Sequence, residues 1–262
     1  MKESFKYTFL TVAEIKKFSV VVLIMSIFTV IQPFPVISII SFLMEKILYL
    51  SIGAILIYIA NNTKNDEEYY ATLKKQPLST FFLHFLPTAM GIMLGIFVLA
   101  AIFLAVFVFI LKITNSVYIL INPHTFFIQI ANSPILTQTL LGFYSVYLIF
   151  YSYIFLGKLG EALSKENFKE SFLSMLSTIY DFKFWINSFN LKYMLIFFVW
   201  SFIISITYSV VALMYLFYLF PLLLNDFGIN VLIIPILVSI TTILTYYTYF
   251  SAYFAYKSTA KN

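Results

Sequence analysis

No cysteine and no arginine occur among the 262 residues; all sixteen basic residues are lysine. Without cysteine there are no disulfides, no thiolate nucleophile and no iron–sulfur ligation. Without arginine there is no arginine finger, no bidentate phosphate clamp and no arginine-based voltage sensor. Only two histidines are present, His84 and His124. The topology read below puts them on opposite sides of a membrane, where they cannot share a ligand sphere. Gly-rich phosphate loops, a nucleophile elbow and an HExxH helix are all missing. The sequence therefore points away from an enzyme and implies no metal and no cofactor.

Charge is also scarce. Only 10% of the residues are charged, against about one quarter in soluble domains. What fills the chain instead is 62% hydrophobic residues, 20% of all residues being aromatic. Apolar runs of 18 or more recur along the whole length, which reads as a polytopic membrane protein. The runs are continuous rather than alternating, and each is far longer than the roughly 10 residues of a barrel strand. In hydrocarbon the remaining solution is a bundle of helices. The expected fold class is all-α membrane, in one domain.

Six crossings are expected, at about 12–31, 36–60, 87–111, 134–157, 193–220 and 229–256. The first follows a basic leader resembling a signal peptide, but no small-residue cleavage site follows, so it is read as a retained helix. "QPFP" ends it, since Pro33 and Pro35 lack donors and disfavour helix in the residue before each. Residues 61–82 read as a polar loop, and "NDEEYY" within it as a solvated charge run. Residues 112–133 read as a surface segment. Ser133 and Pro134 mark the start of the fourth crossing, Pro221 marks the end of the fifth, and Pro235 is placed to bend the sixth.

Lysine positions test this layout. Fourteen of the sixteen fall on the side of both termini, Lys112 falls on the other, and Lys46 lies inside the membrane. The chain is read as N-in, C-in, and the net charge of +5 follows from that orientation rather than from nucleic-acid binding. A five-span alternative makes residues 18–44 one kinked helix and 45–60 a surface helix. It sends a lysine cluster to the wrong side.

Between the fourth and fifth crossings, residues 164–185 carry Phe168, Phe172, Met175, Ile179 and Phe182 at helical spacing. They are expected to form one amphipathic helix capped by Ser164, either lying in the interface with Trp185 at headgroup depth or packed under the bundle as a clamp.

The candidate polar site is on the second crossing. Glu45 and Lys46 sit near the bilayer centre, where a charge costs roughly 2.5–3.5 kcal/mol on insertion scales. Adjacent helical residues point about 100° apart, so the two are not expected to face one another. Ser38, Ser41, Glu45 and Tyr49 share one face. That stripe is either a coupling path for an ion or proton, or a structural seam bonded to a neighbouring helix. Tyrosines on the fourth and sixth crossings (Tyr144, Tyr147, Tyr151; Tyr249, Tyr253, Tyr256), with serines and threonines on the last two, read as an aromatic belt and interhelical bonds, or as a hydroxyl-lined route. Gly91 and Gly95 form a small-xxx-small pair, which favours close helix packing.

A Pro-marked hairpin ("IQPFP"), "GKLGEALSKENFKESFLSML" before the fifth crossing and "SAYFAY" at the end of the sixth give a layout similar to a group of uncharacterised prokaryotic six-helix membrane proteins. That group includes the membrane domain attached to some glycerophosphodiester phosphodiesterases. The resemblance implies the architecture and a prokaryotic cytoplasmic (inner) membrane; it carries over no catalytic residue, and the hydrolase domain is not present. Two functions are expected to compete. One is a membrane-embedded subunit or scaffold, with the bilayer and other membrane subunits or further copies as partners. The other is a small transporter or channel using the stripe around Glu45.

Overall fold

The computed structural model describes residues 2–31, 35–120, 125–214 and 227–259, and among these there is no strand. The helices are α1 (Lys2–Ala13), α2 (Ile15–Ile31), α3 (Pro35–Asn62), α4 (Asp66–Lys75), α5 (Leu78–Leu83) and α6 (Leu86–Ile113). They continue with α7 (Phe126–Ala131), α8 (Ile135–Leu163), α9 (Phe168–Leu176), α10 (Phe182–Ser188), α11 (Leu191–Met214) and α12 (Phe227–Thr259).

Among the described residues, five stretches are long and apolar enough to cross a membrane: Ser38–Asn62, Leu78–Ile113, Ile135–Leu163, Leu191–Ala212 and Ile233–Thr259. They are compatible with an integral membrane protein. The first of the six expected crossings is different. It is broken at Glu14, and the described part of α2 after the break has 17 residues, about 25 Å of helix. The five-span alternative also departs from the structure, because α3 runs unbroken from Pro35 through Glu45 to Asn62. The end expected for the fifth crossing at Pro221, and all of the "QPFP" stop except Pro35, lie outside the described residues.

One end of the bundle is densely packed. There Lys17 Nζ donates to the carbonyl of Lys74 at 3.0 Å, Tyr253 donates to Asn61 Oδ1 at 2.8 Å, and Asn187 reaches Thr259 O. The core residues of α3 (Ile52, Ile55, Leu56), α12 (Tyr246, Phe250, Tyr253) and α8 (Ile154, Leu156) are fully buried near this end. A smaller cluster of Ile110, Leu111, Ile119 and Leu141 closes the other end. In contrast, Phe97, Leu104 and Phe109 on α6, Phe143 and Ile149 on α8, and Phe198 and Phe202 on α11 all point outward. Apolar faces of that extent on several helices belong against hydrocarbon or another apolar surface.

Helix α1 uses its polar side as the buried side: Ser4, Thr8 and Thr11 face the bundle while Phe9 is exposed. Tyr7 stacks on Phe250, and the Thr11 hydroxyl shares a 2.8 Å hydrogen bond with Tyr69 of α4. The polar loop expected at 61–82 is ordered into α4 and α5. Asn65 caps α4 by accepting from the Glu68 N–H at 2.9 Å, and Glu68 accepts from the Lys64 N–H at 2.8 Å, a reciprocal cap. Asp66 of the charge run pairs with Lys6. Residues 112–133 hold short helical pieces, Val117–Leu120 and α7.

The segment 164–185 corrects the expectation of one amphipathic helix. It is two helices, α9 and α10, with a single 3-10 turn at Ser177–Ile179 between them. Ser164 ends α8 instead of starting α9, and Asn167 is the cap, accepting from the Glu170 N–H. Asp181 starts α10 by accepting from Phe184 N–H at 3.0 Å. An aspartate able to cap a new helix competes with continuing the old one. The five apolar residues do not share a face: Met175 is fully buried, Phe168 and Phe182 are exposed, and Phe172 and Ile179 are half-buried. Trp185 spends its indole N–H inside the protein, on Thr178 O at 2.9 Å.

What α9 buries is a row of small groups, Ser171, Ser174 and Thr178 just beyond it, plus Met175. It docks on α6 where Gly91 and Gly95 lie. A Cβ on Gly91 would sit 2.4 Å from the Phe168 carbonyl oxygen, and one on Gly95 2.6 Å from Met175 Cβ. Thr88 adds a hydrogen bond to Lys165 O. Helix α9 is thus packed closely along α6 through these small groups.

Candidate functional site

On α3, Ser41, Glu45 and Tyr49 are buried and occur at successive turns. Ser41 donates to Phe28 O of α2 at 3.1 Å, and Tyr49 shares a 2.8 Å hydrogen bond with the Thr242 hydroxyl of α12. Ser38, one turn earlier, is half-buried and also has a polar partner. The stripe therefore lies in the seam where α3 meets α2 and α12.

Glu45 and Lys46 do face one another, contrary to the sequence expectation. The Lys46 ammonium donates to Glu45 Oε1 at 2.8 Å. The 100° argument holds for the directions in which two side chains leave the helix. A lysine stem is long enough to swing its ammonium back, over the rings of Phe42 and Tyr49 at 5.1 and 5.9 Å. Glu45 is turned inward with 9% of its side chain exposed, while 38% of the Lys46 side chain is exposed.

Beside this seam, α2 and α12 leave a groove of about 290 Å³ lined by Phe18, Ser19, Val22, Leu23, Ser26, Pro235 and Ser239. Among the described residues the buried Ser26 hydroxyl has no hydrogen-bond partner, whereas Ser239 donates to Pro235 O at 2.7 Å.

The tyrosines and threonines are mostly engaged within the fold. Tyr144 donates to Phe103 O at 2.8 Å, Tyr151 packs edge-on to the Phe103 ring, and the Tyr249 ring covers Gly53. Thr241 and Thr245 donate to carbonyls one turn back. Among the described residues no three acidic or histidine side chains gather as metal ligands. His84 lies at the end of α5 against Phe85, and His124 is outside the described residues.

A second polar centre was not anticipated. A fourth crossing ending at Gly157 would leave Lys158 in the following loop. Helix α8 instead continues to Leu163, and Lys158 is 1% exposed. Its ammonium donates to Asp181 Oδ2 at 2.5 Å, Glu161 Oε2 at 2.7 Å and Ser177 Oγ at 3.0 Å, and lies 4.5 Å from the Phe184 ring centroid. All three donors of the ammonium are used. Partial burial pushes the Asp181 carboxyl up, but the hydrogen bonds from Lys158 and the Phe184 N–H, with the charges of Lys158 and Lys183, outweigh it. Its pKa lies below the ordinary 3.8. The Lys158–Glu161 spacing of i,i+3 was the available signal, hidden by reading Gly157 as a helix end.

Compared with models of known protein families, with curated proteins and with solved structures, the chain matches none. The likeness in layout to six-helix membrane proteins thus rests on layout alone.

Proposed function

We propose that the protein is a non-enzymatic membrane-embedded subunit or scaffold of a larger assembly. One observation carries the reading: the polar groups of the α3 stripe are spent within the fold, Ser41 on α2 and Tyr49 on α12, while Glu45 pairs with Lys46 of α3 itself. Buried hydroxyls used this way join helices and set their register. The clamp of α9 on α6 and the lysine centre at Lys158 likewise add rigidity rather than a path.

In this reading α2 is a sixth crossing. Its pairing with α3 through Phe28 and Ser41, and with α4 through Lys17 and Lys74, supports an antiparallel pass. The lysine-rich, densely packed end then faces the cytoplasm of a prokaryotic cell. The absence of cysteine makes this easy to check, because every introduced thiol reports alone. A membrane-impermeant maleimide should label Tyr118→Cys in intact cells and Lys64→Cys only after permeabilisation. Labelling of both from the same side would contradict the crossing of α6; the reverse order would invert the orientation.

A second reading is a small transporter or channel for an ion or polar solute. The groove between α2 and α12, with its unpartnered Ser26 hydroxyl, favours it. Two measurements separate the readings. Gently extracted into lipid nanodiscs, the protein should travel at a mass well above its own 30.4 kDa after the disc is subtracted. In sealed vesicles, the reconstituted protein should pass no protons or monovalent cations above the rate of empty vesicles. A lone chain whose ion flux is abolished by Glu45→Gln would replace the subunit reading with the transport reading.

A further inference from the structure

Lys46 is the charged group that the seam does not enclose. The inference drawn from it rests on the subunit reading and names the chemistry of the partner. An ammonium carries three N–H donors. One goes to Glu45 Oε1, and among the described residues the other two have no acceptor. The side chain is 38% exposed, on the outer face of α3 that also presents Ile39 and Phe42 to the surroundings.

Depth decides what can satisfy those donors. The apolar stretch of α3 is Ser38–Asn62, and Lys46 stands about 6 Å along the axis from its middle at Leu50. Headgroups begin about 15 Å from the middle, so the two donors sit in hydrocarbon, where unmet hydrogen bonds cost several kcal/mol each.

We propose that the face of α3 formed by Ile39, Phe42 and Lys46 receives a membrane-spanning helix of another protein, which presents a neutral acceptor, an amide or hydroxyl side chain, at mid-depth. The acceptor is neutral because Glu45 already balances the charge, and a further carboxylate would leave a net negative charge in hydrocarbon. The partner is not a second copy by this face. Two-fold apposition would set Lys46 against Lys46, and Glu45 is turned inward where it cannot reach across.

The test uses the whole protein in phosphatidylcholine vesicles with synthetic lysine-flanked oligoleucine helices, dye-labelled, carrying glutamine, glutamate or leucine at the central position. Energy transfer to the protein should show the glutamine helix binding at least about tenfold more tightly than the all-leucine one, with glutamate no better than glutamine. Lys46→Met, which keeps the stem's volume, should erase the preference; because it also leaves the buried Glu45 unpaired and lowers the melting temperature, the double variant Glu45→Gln/Lys46→Met, which restores neutrality, should likewise show no preference. Equal binding of glutamine and leucine helices, or a preference that survives Lys46→Met, overturns the proposal. In native membranes, a photo-crosslinking residue in place of Phe42 should give a protein adduct that is lost on Lys46→Met. An adduct at twice the chain's own mass, or lipid adducts alone, also overturns it. Should the chain travel in a large assembly while these fail, this face is wrong and the subunit reading stands. Should it travel alone, that reading fails.

Discussion

Gly160→Ala should be the most damaging single methyl in the molecule. A Cβ there would lie 2.1 Å from the Ala252 carbonyl oxygen, 2.3 Å from its carbon and 2.7 Å from the Tyr253 nitrogen. All three are backbone atoms of α12, so no side chain can turn aside. The two helices must separate along their crossing, and the fully buried neighbours Ala162, Leu163 and Ala252 lose contact with them. Overpacking commonly costs 1–3 kcal/mol where side chains can yield; against rigid backbone about 3 kcal/mol or more is expected. The control is on the same helix. Gly142 would place its Cβ in open space, and alanine there should be neutral or stabilising by up to about 1 kcal/mol. Thermal unfolding in detergent reads both, and equal melting temperatures for the two variants would show that α8 and α12 do not cross this closely.

Lys158→Met should be the second. It removes the one cation that Asp181 and Glu161 share, leaving two carboxylates facing each other across Ser177. Breaking a fully buried pair costs 3–5 kcal/mol. Here Asp181 keeps 33% and Glu161 19% of its side chain exposed, so about 2–3 kcal/mol is expected. For a chain of this size that is a melting temperature lower by about 4–12 °C. The carboxylate partner supplies a pH signature. Asp181 has its folded pKa below the ordinary value, so its contribution is present above pH 3.8 and is lost as pH falls through the folded value. Asp181→Asn should therefore be less stable than wild type at pH 7, with the gap closing as pH falls below 3.8. An unchanged gap across that range would mean that Lys158 is held by Glu161 and Ser177 without help from Asp181.

Much of the long-helix architecture was legible because a bilayer-length apolar run has few other solutions. Four of the expected crossings overlap the long apolar helices at Ser38–Asn62, Leu78–Ile113, Ile135–Leu163 and Ile233–Thr259, and the fifth overlaps Leu191–Ala212. The errors gather at helix ends and in the polar segments. Gly157 looked like a stop, yet its missing side chain makes room for the Phe184 and Tyr193 rings, with a Cβ there only 2.7 Å from each. Ser164 looked like a start and is an end. Both readings weighed local preference alone, and in both a neighbour distant in sequence decided the outcome. The polar stripe was legible as a set, since Ser41, Glu45 and Tyr49 follow the helical period. Their partners Phe28 and Thr242 were not, because nothing in a helix's own period says which neighbour it will meet.

By itself the sequence determined composition-level facts: a chain of long apolar helices, apolar enough to sit in a bilayer and without thiol or guanidinium chemistry. These follow from residue types and their spacing, which act locally and through the solvent each helix needs. Only the tertiary structure decided that Lys158 is a buried hub, that α9 and α10 separate at Asp181, and that Glu45 turns inward while Lys46 remains half outside. Each depends on contacts between helices far apart in the chain, where whether a charge ends in water, in hydrocarbon or against an opposite charge is set by which backbone lies a few ångströms away.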